Sequence, residues 1–232
     1  MSSLVSLLME KHRDILLDVE LKTLFQDENL SGLFLASPHK SYESSSCKLM
    51  IVGQETRSWR NRTCHFKNEY SVTDQAVLES MECSSEFNTK APKRSRFRQF
   101  YKKSSVALNS NSLDPENAAV WANQFCVSHY GKSPVKAPSF KVIESLSAKL
   151  LRAQFEVLKP NVAIFTVGSA RDQFIKDTFH ELETQSVIHP RRLWHFKIGD
   201  THCFRTNHPR WSGSKRYIDE ALALAKEVCT SP

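Results

Sequence analysis

Apolar and polar positions alternate along this chain in two rhythms. Leu4, Leu8, Leu16, Val19 and Leu24 recur among charges, which predicts one or two amphipathic helices over residues 4 to 25. Cys47 to Gly53 (CKLMIVG) is an unbroken apolar run stopped by a glycine, the pattern of a buried first strand ending in a tight loop. A second run, Ala118 to Phe125 (AAVWANQF), predicts another core strand with an asparagine where it finishes. Helical spacing returns at Phe140, Ile143, Leu146, Leu150, Leu151 and Phe155, with Ser139 as the expected N-cap and Pro160 as the stop. Asn161 to Gly168 (NVAIFTVG) reads as the clearest strand. Ser169 and Asp172 then form a capping-box pattern opening a helix through Phe174, Ile175, Phe179 and Leu182. A last strand, Thr201 to Thr206, leads into NHPRWSGS and a final helix from Tyr217 to about Val228. Alternating strands and helices predict an α/β fold with a parallel sheet.

Between the first two strands, residues 60 to 112 are polar, basic and rich in serine and asparagine. They read as a long excursion with one short helix at 73 to 81. At 232 residues the chain suits a single domain spanning 1–232. No apolar stretch approaches the roughly 20 residues of a membrane span, so no membrane association is expected. The apolar start Leu4 to Leu8 is cut short by Glu10, Lys11, Arg13 and Asp14, which argues against a secretory leader and for a cytoplasmic protein. Six cysteines, at 47, 64, 83, 126, 203 and 229, form no CxxC pair and read as reduced thiols. The neighbours Cys64–His65 and His202–Cys203 are weak metal candidates, because adjacent strand residues face opposite ways. No metal or cofactor is expected.

Lys and Arg outnumber Asp and Glu by 32 to 25, a formal charge of +7 that suits a polyanionic partner. The excess is concentrated from Lys90 to Lys103 (KAPKRSRFRQFYKK), where Lys93, Arg94, Arg96 and Arg98 stand among Phe97, Phe100 and Tyr101 with no acid between them. Cations that release counterions from phosphates and rings that stack on bases would make this a nucleic-acid contact. A solvated basic loop with its aromatics docked on the core fits the same pattern.

Three strand ends carry polar groups suited to catalysis: Gln54 and Glu55 after the first strand, Asn123 after the second, and His208 after the last. With the segments GQETRSW (53 to 59), VWANQFCV (120 to 127), VAIFTVGSA (162 to 170) and NHPRWSG (207 to 213), in that order, the chain resembles the uracil-DNA glycosylase superfamily over roughly residues 47 to 228. The resemblance implies a three-layer α/β/α fold around a central, mainly parallel four-stranded sheet. It also implies a cofactor-free enzyme that flips a pyrimidine out of DNA, hydrolyses its N-glycosidic bond and leaves an abasic site, with a monomer as the default expectation. Glu55 stands where the family has its catalytic aspartate. His208 would stabilise the departing base, and Asn123 would read its Watson–Crick edge. The extra methylene of Glu55 is a departure that leaves Gln54 as an alternative residue to position water. Arg57 replaces a tyrosine that excludes bulky pyrimidines, so a decorated base would fit, with Trp59 as a stacking candidate. Arg210 and Trp211 replace small residues after the His-Pro pair and become candidates for gripping DNA. Some divergent members of this superfamily excise glucosylated hydroxymethylcytosine from phage DNA, which makes phage or damaged DNA the implied partner. A non-catalytic DNA-binding module, uracil excision in repair and hydrolysis of free nucleosides are the rival readings.

Overall fold

The computed structural model describes residues 2–57, 59, 65–92 and 94–230. In chain order the helices are α1 (Ser3–Leu17), α2 (Leu21–Leu24), α3 (Lys40–Glu43), α4 (His65–Asn68), α5 (Asp74–Thr89), α6 (Arg96–Leu108), α7 (Phe140–Leu158), α8 (Asp172–Thr178) and α9 (Lys215–Thr230). The strands are β1 (Leu49–Glu55), β2 (Ala119–Phe125), β3 (Val162–Phe165), β4 (Glu183–His189), β5 (Leu193–Ile198) and β6 (Thr201–Arg205). They form one sheet in the order β2-β1-β3-β6-β5-β4. The fold is therefore α/β as expected, but the sheet has six strands and is mixed, not four-stranded and mainly parallel. β1 and β3, and β3 and β6, run parallel, while β4, β5 and β6 form an antiparallel meander.

Of the meander, β6 matches the expected last strand, whereas β4 and β5 escaped sequence reading although the signals of β5 are present. In β5, Trp194, Phe196 and Ile198 alternate with half-buried His195 and Lys197. Ile198 pairs with Thr201 across the two-residue loop Gly199-Asp200, and Gly199 has φ +55°, the backbone that such tight hairpins demand. β3, by contrast, is buried along its whole length, as a central parallel strand must be.

The chain divides into two compact units. The first comprises Met1–Ser37, Gln54–Phe87 and Asn123–Leu158. Here α1 packs on α7, burying Leu8, His12 and Leu16 at a spacing of four. The α7 boundary matches the expectation, but its start does not use the Ser139 hydroxyl. The Ser139 carbonyl accepts from Val142 and Ile143, while its Oγ is buried without a hydrogen bond.

The second unit comprises Pro38–Gly53, Asn88–Ala122 and Lys159–Pro232. α9 lies against β3 and β6 through Ile218, Ala221, Leu222 and Ala225. The expected capping box at Ser169 is absent: residues Ser169–Arg171 form a 3-10 turn without side-chain capping. Asp172 instead meets Arg205 at the end of β6, with Nε 2.7 Å from Oδ1 and Nη2 2.8 Å from Oδ2. Cys47 and Cys229 are joined by a disulfide, their Cα atoms 5.6 Å apart, which corrects the reading of both as reduced thiols. A separation of 182 residues gives sequence spacing no hold on that pairing. Cys83, Cys126 and Cys203 are free, whereas Cys64 lies outside the described residues.

The supposed excursion is largely helical. Ser95 caps α6 by accepting from the Arg98 N–H at 3.3 Å, and Phe100, Tyr101, Ser104, Ser105 and Leu108 form its buried face. That periodicity is legible in the sequence but is masked by the density of cations. No helix among the described residues is long and apolar enough to cross a membrane.

Candidate functional site

β1 and β2 are hydrogen-bonded neighbours, and their C-terminal halves carry the first group of candidates. Gln54 and Glu55 close β1 as half-buried side chains, and Asn123 sits in β2 only 6% exposed. An amide so deeply placed has no bulk water to satisfy it, so its hydrogen bonds are set by the surrounding protein or by a ligand. Arg57, just past β1, is exposed. Trp59 is buried between Phe34 and Phe87, edge-on to both at 5.2 and 5.3 Å, and its backbone carbonyl accepts from Gly32 at 2.9 Å. This packing accounts for the indole as part of the core of the first unit. All five of these residues belong to that unit.

The second unit holds the loops that follow β3 and β6. The Gly168 N–H donates to the Thr206 carbonyl at 3.0 Å, which lays the two loops side by side. Gly168 has φ +76°, and a Cβ there would come 3.7 Å from Asn207 Oδ1, so glycine serves the backbone conformation more than the space. His208 follows. Its Nδ1 accepts from the Arg210 backbone N–H at 3.1 Å, so the neutral ring carries its proton on Nε2. Phe97 of α6 lies nearly parallel to this imidazole, 6.2 Å between centroids, and packs at 5.2 Å on Trp121 of β2. The aromatic content of the basic segment thus splits. Phe97 supports His208, whereas Phe100 and Tyr101 are core residues, the latter donating its hydroxyl to the Ala119 carbonyl at 2.5 Å.

The cations of that segment also divide by environment. Arg94 and Arg96 are exposed and Arg98 is half-buried. The Arg98 guanidinium donates to the Lys90 carbonyl, and burial holds its pKa below the usual arginine value. Lys102 Nζ is bonded to Asn117 at 2.6 Å, and Lys103 pairs with Asp219 at 2.8 Å. Acids remote in sequence therefore neutralise part of a stretch that contains none. Lys93 lies outside the described residues.

Two features were missed from the sequence. Asn207, next to His208, has a buried Nδ2 with no hydrogen-bond partner, as does the neighbouring Thr206 Oγ1. Such donors cost about 1–3 kcal/mol when left unmet. The second is an open pocket of about 500 Å³ between the meander and α9, lined by His195, His202, Phe204, Glu220, Leu224 and Glu227 among others. His195 Nε2 and His202 Nδ1 are 3.1 Å apart, so one ring donates and the other accepts. Burial lowers the pKa of both, with Lys197 adding to the effect and His202 also depressing His195. No group of three or more His, Cys, Asp or Glu side chains among the described residues is arranged to hold a metal ion.

Arg210 and Trp211 are exposed, Trp211 by 39%. No protein-family model matches this chain, and no curated protein matches it either.

Proposed function

We propose that this protein is a monofunctional DNA glycosylase of the uracil-DNA glycosylase type, which flips a pyrimidine and hydrolyses its N-glycosidic bond. The observation that carries the reading is the placement of a carboxylate and two amides, Glu55, Gln54 and Asn123, in the C-terminal halves of the neighbouring strands β1 and β2, within one compact unit. The parallel strands β3 and β6 end in adjacent loops, the latter carrying His208, and open α/β sheets place their ligands at such strand ends. The Nε2 proton of His208 adds a donor of the kind that a departing base requires.

The chemistry assigns each group a task. Glu55 takes a proton from water as the water oxygen bonds to C1′ of the deoxyribose, and its charge opposes the cation that develops on the sugar. The C1′–N bond breaks with its electrons passing to the base. The His208 Nε2–H stabilises the negative charge on the base oxygen, and the base anion is then protonated by solvent. Gln54 orients the water, and Asn123 hydrogen-bonds the edge of the flipped base. Arg57, exposed just past β1, suits a substituted pyrimidine such as glucosylated hydroxymethylcytosine. DNA as partner, action as a monomer and a cytoplasmic location complete the proposal.

The test is mass-spectrometric detection of free base after incubation with ordinary, uracil-containing and glucosyl-hydroxymethylcytosine DNA. Release from one DNA, with an intact strand bearing an abasic site and loss of release in Glu55→Gln, is the expected result. Binding of all three DNAs without release from any would replace the enzyme by a non-catalytic DNA-binding module.

A further inference from the structure

The β4–β5 hairpin ends in an arrangement whose charge is unspent. The His189 carbonyl accepts from the Arg192 N–H at 2.9 Å, closing a turn with Pro190 in the second position and Arg191 in the third. Arg191 has φ +61°, in the left-handed region where such turns favour glycine or asparagine. A long charged side chain is therefore held, exposed, on a backbone that disfavours it.

Behind the turn stands a stack of rings and cations. The Arg192 guanidinium lies over the Trp211 ring at 4.3 Å, Trp211 is parallel to Tyr217 at 6.4 Å with 13° between planes, and Arg216 lies 5.8 Å from the Tyr217 ring. Gly213 makes room for this: a Cβ there would fall 2.5 Å from Trp211 Cη2, a distance that real contacts do not reach. Stacking occupies the face of a guanidinium and leaves its N–H groups, which lie in the plane, to bond elsewhere. Among the described residues, no carboxylate pairs with Arg191, Arg192, Arg210 or Arg216. Glu220, one turn along α9 from Arg216, is bonded instead to His189 at 2.8 Å.

We propose that the β4–β5 hairpin is a second DNA-gripping arm, in which Arg191, Arg192 and Arg216, set around the stacked Trp211 and Tyr217 rings, bind backbone phosphates of duplex DNA. The proposal rests on the DNA-directed function above. Planar donor forks match phosphate oxygens, several unpaired cations on one exposed surface match a polyanion, and flat rings suit the sugar-base edges between phosphates.

The experiment measures binding of a fluorescent duplex of ordinary bases to the full chain as salt is varied, for the parent protein and for Arg191→Gly, Arg192→Gln and their double variant. Each phosphate contact adds about 0.9 to the slope of log affinity against log salt. The double variant should therefore lose nearly 2 from that slope and bind at least 10-fold more weakly at physiological salt. Arg191→Gly should also raise the melting temperature, because glycine tolerates the left-handed backbone, so its weaker binding cannot be ascribed to misfolding. Unchanged affinity and slope in the double variant, with the parent binding DNA, would overturn the hairpin's role and leave the glycosylase reading standing. Hairpin-dependent binding with no base released from any DNA would do the reverse. Failure of the parent to bind duplex DNA, or hairpin-dependent preference for duplex RNA or an acidic peptide, would overturn the DNA assignment.

Discussion

The Phe97 ring lies almost parallel to the His208 imidazole, 23° between planes and 6.2 Å between centroids. One residue comes from the basic segment and the other from the loop after the last strand, so α6 supports the ring on which leaving-group stabilisation is proposed to depend. Aromatic pairs contribute about 0.5–1.5 kcal/mol beyond simple burial. Phe97→Ala should lower kcat/KM for base release by roughly 10-fold or more, the range that lost orientation of a reacting group produces. Unchanged kinetics in a folded variant would show that the imidazole does not rely on this ring.

Arg205 is 2% exposed at the end of β6, and the Asp172 carboxylate is its partner. Removing one member of a buried pair strands the other charge, a loss of about 3–5 kcal/mol. Asp172→Asn should therefore destabilise strongly in urea. Replacing both residues with apolar ones of similar size should recover much of that loss. Equal stabilities for the parent and Asp172→Asn would remove the ion pair from the account of how α8 is held to the sheet.

His12 is fully buried between α1 and α7, and desolvation drops its pKa to about 3. Gln154 Nε2 donates to its Nε2 at 3.4 Å, so the proton sits on Nδ1, which is buried without a partner. The folded pKa is below the unfolded value near 6.5, so the unfolded chain binds the proton first. Stability is full above pH 6.5 and falls by up to about 1.4 kcal/mol per pH unit as the pH drops toward 3. His195 and His202, also lowered, add in the same direction. His12→Leu should flatten the acid limb of a stability–pH curve without lowering stability at pH 7. An unaltered limb would assign the acid sensitivity to other groups.

The Cys47–Cys229 bond ties the chain just ahead of β1 to the last turn of α9. A disulfide typically contributes about 2–4 kcal/mol, chiefly by constraining the unfolded chain. Reduction, or Cys47→Ser, should lower the urea midpoint, and thiol labelling of the denatured, unreduced protein should find two thiols fewer than after reduction. Six labelled thiols before reduction would rule out the bond.

Much of the scaffold was legible because local patterning imposed it. The continuous apolar runs of β1, β2 and β3 have no stable place except a sheet interior, and the four-residue spacing of α7 and α9 has none except a helix face. α6 was hidden because its cations dominated a periodicity that Phe97, Phe100 and Leu108 do carry. The β4–β5 hairpin was hidden because β4 is an edge strand whose residues are exposed or only half-buried, so burial never wrote an alternating pattern into it.

The candidate residues Gln54, Glu55, Asn123 and His208 were identifiable by sequence alone, since each follows or closes an apolar run and carries reactive chemistry. Their environments were not. That Trp59 belongs to a packed aromatic core, that Asp172 serves Arg205 and not a helix cap, that Asp219 neutralises Lys103, and that Cys47 meets Cys229 are all consequences of contacts between segments far apart in the chain. Local sequence determines which side chains must be buried and with what periodicity. Which of them then touch depends on how the elements pack, and that choice belongs to the whole chain.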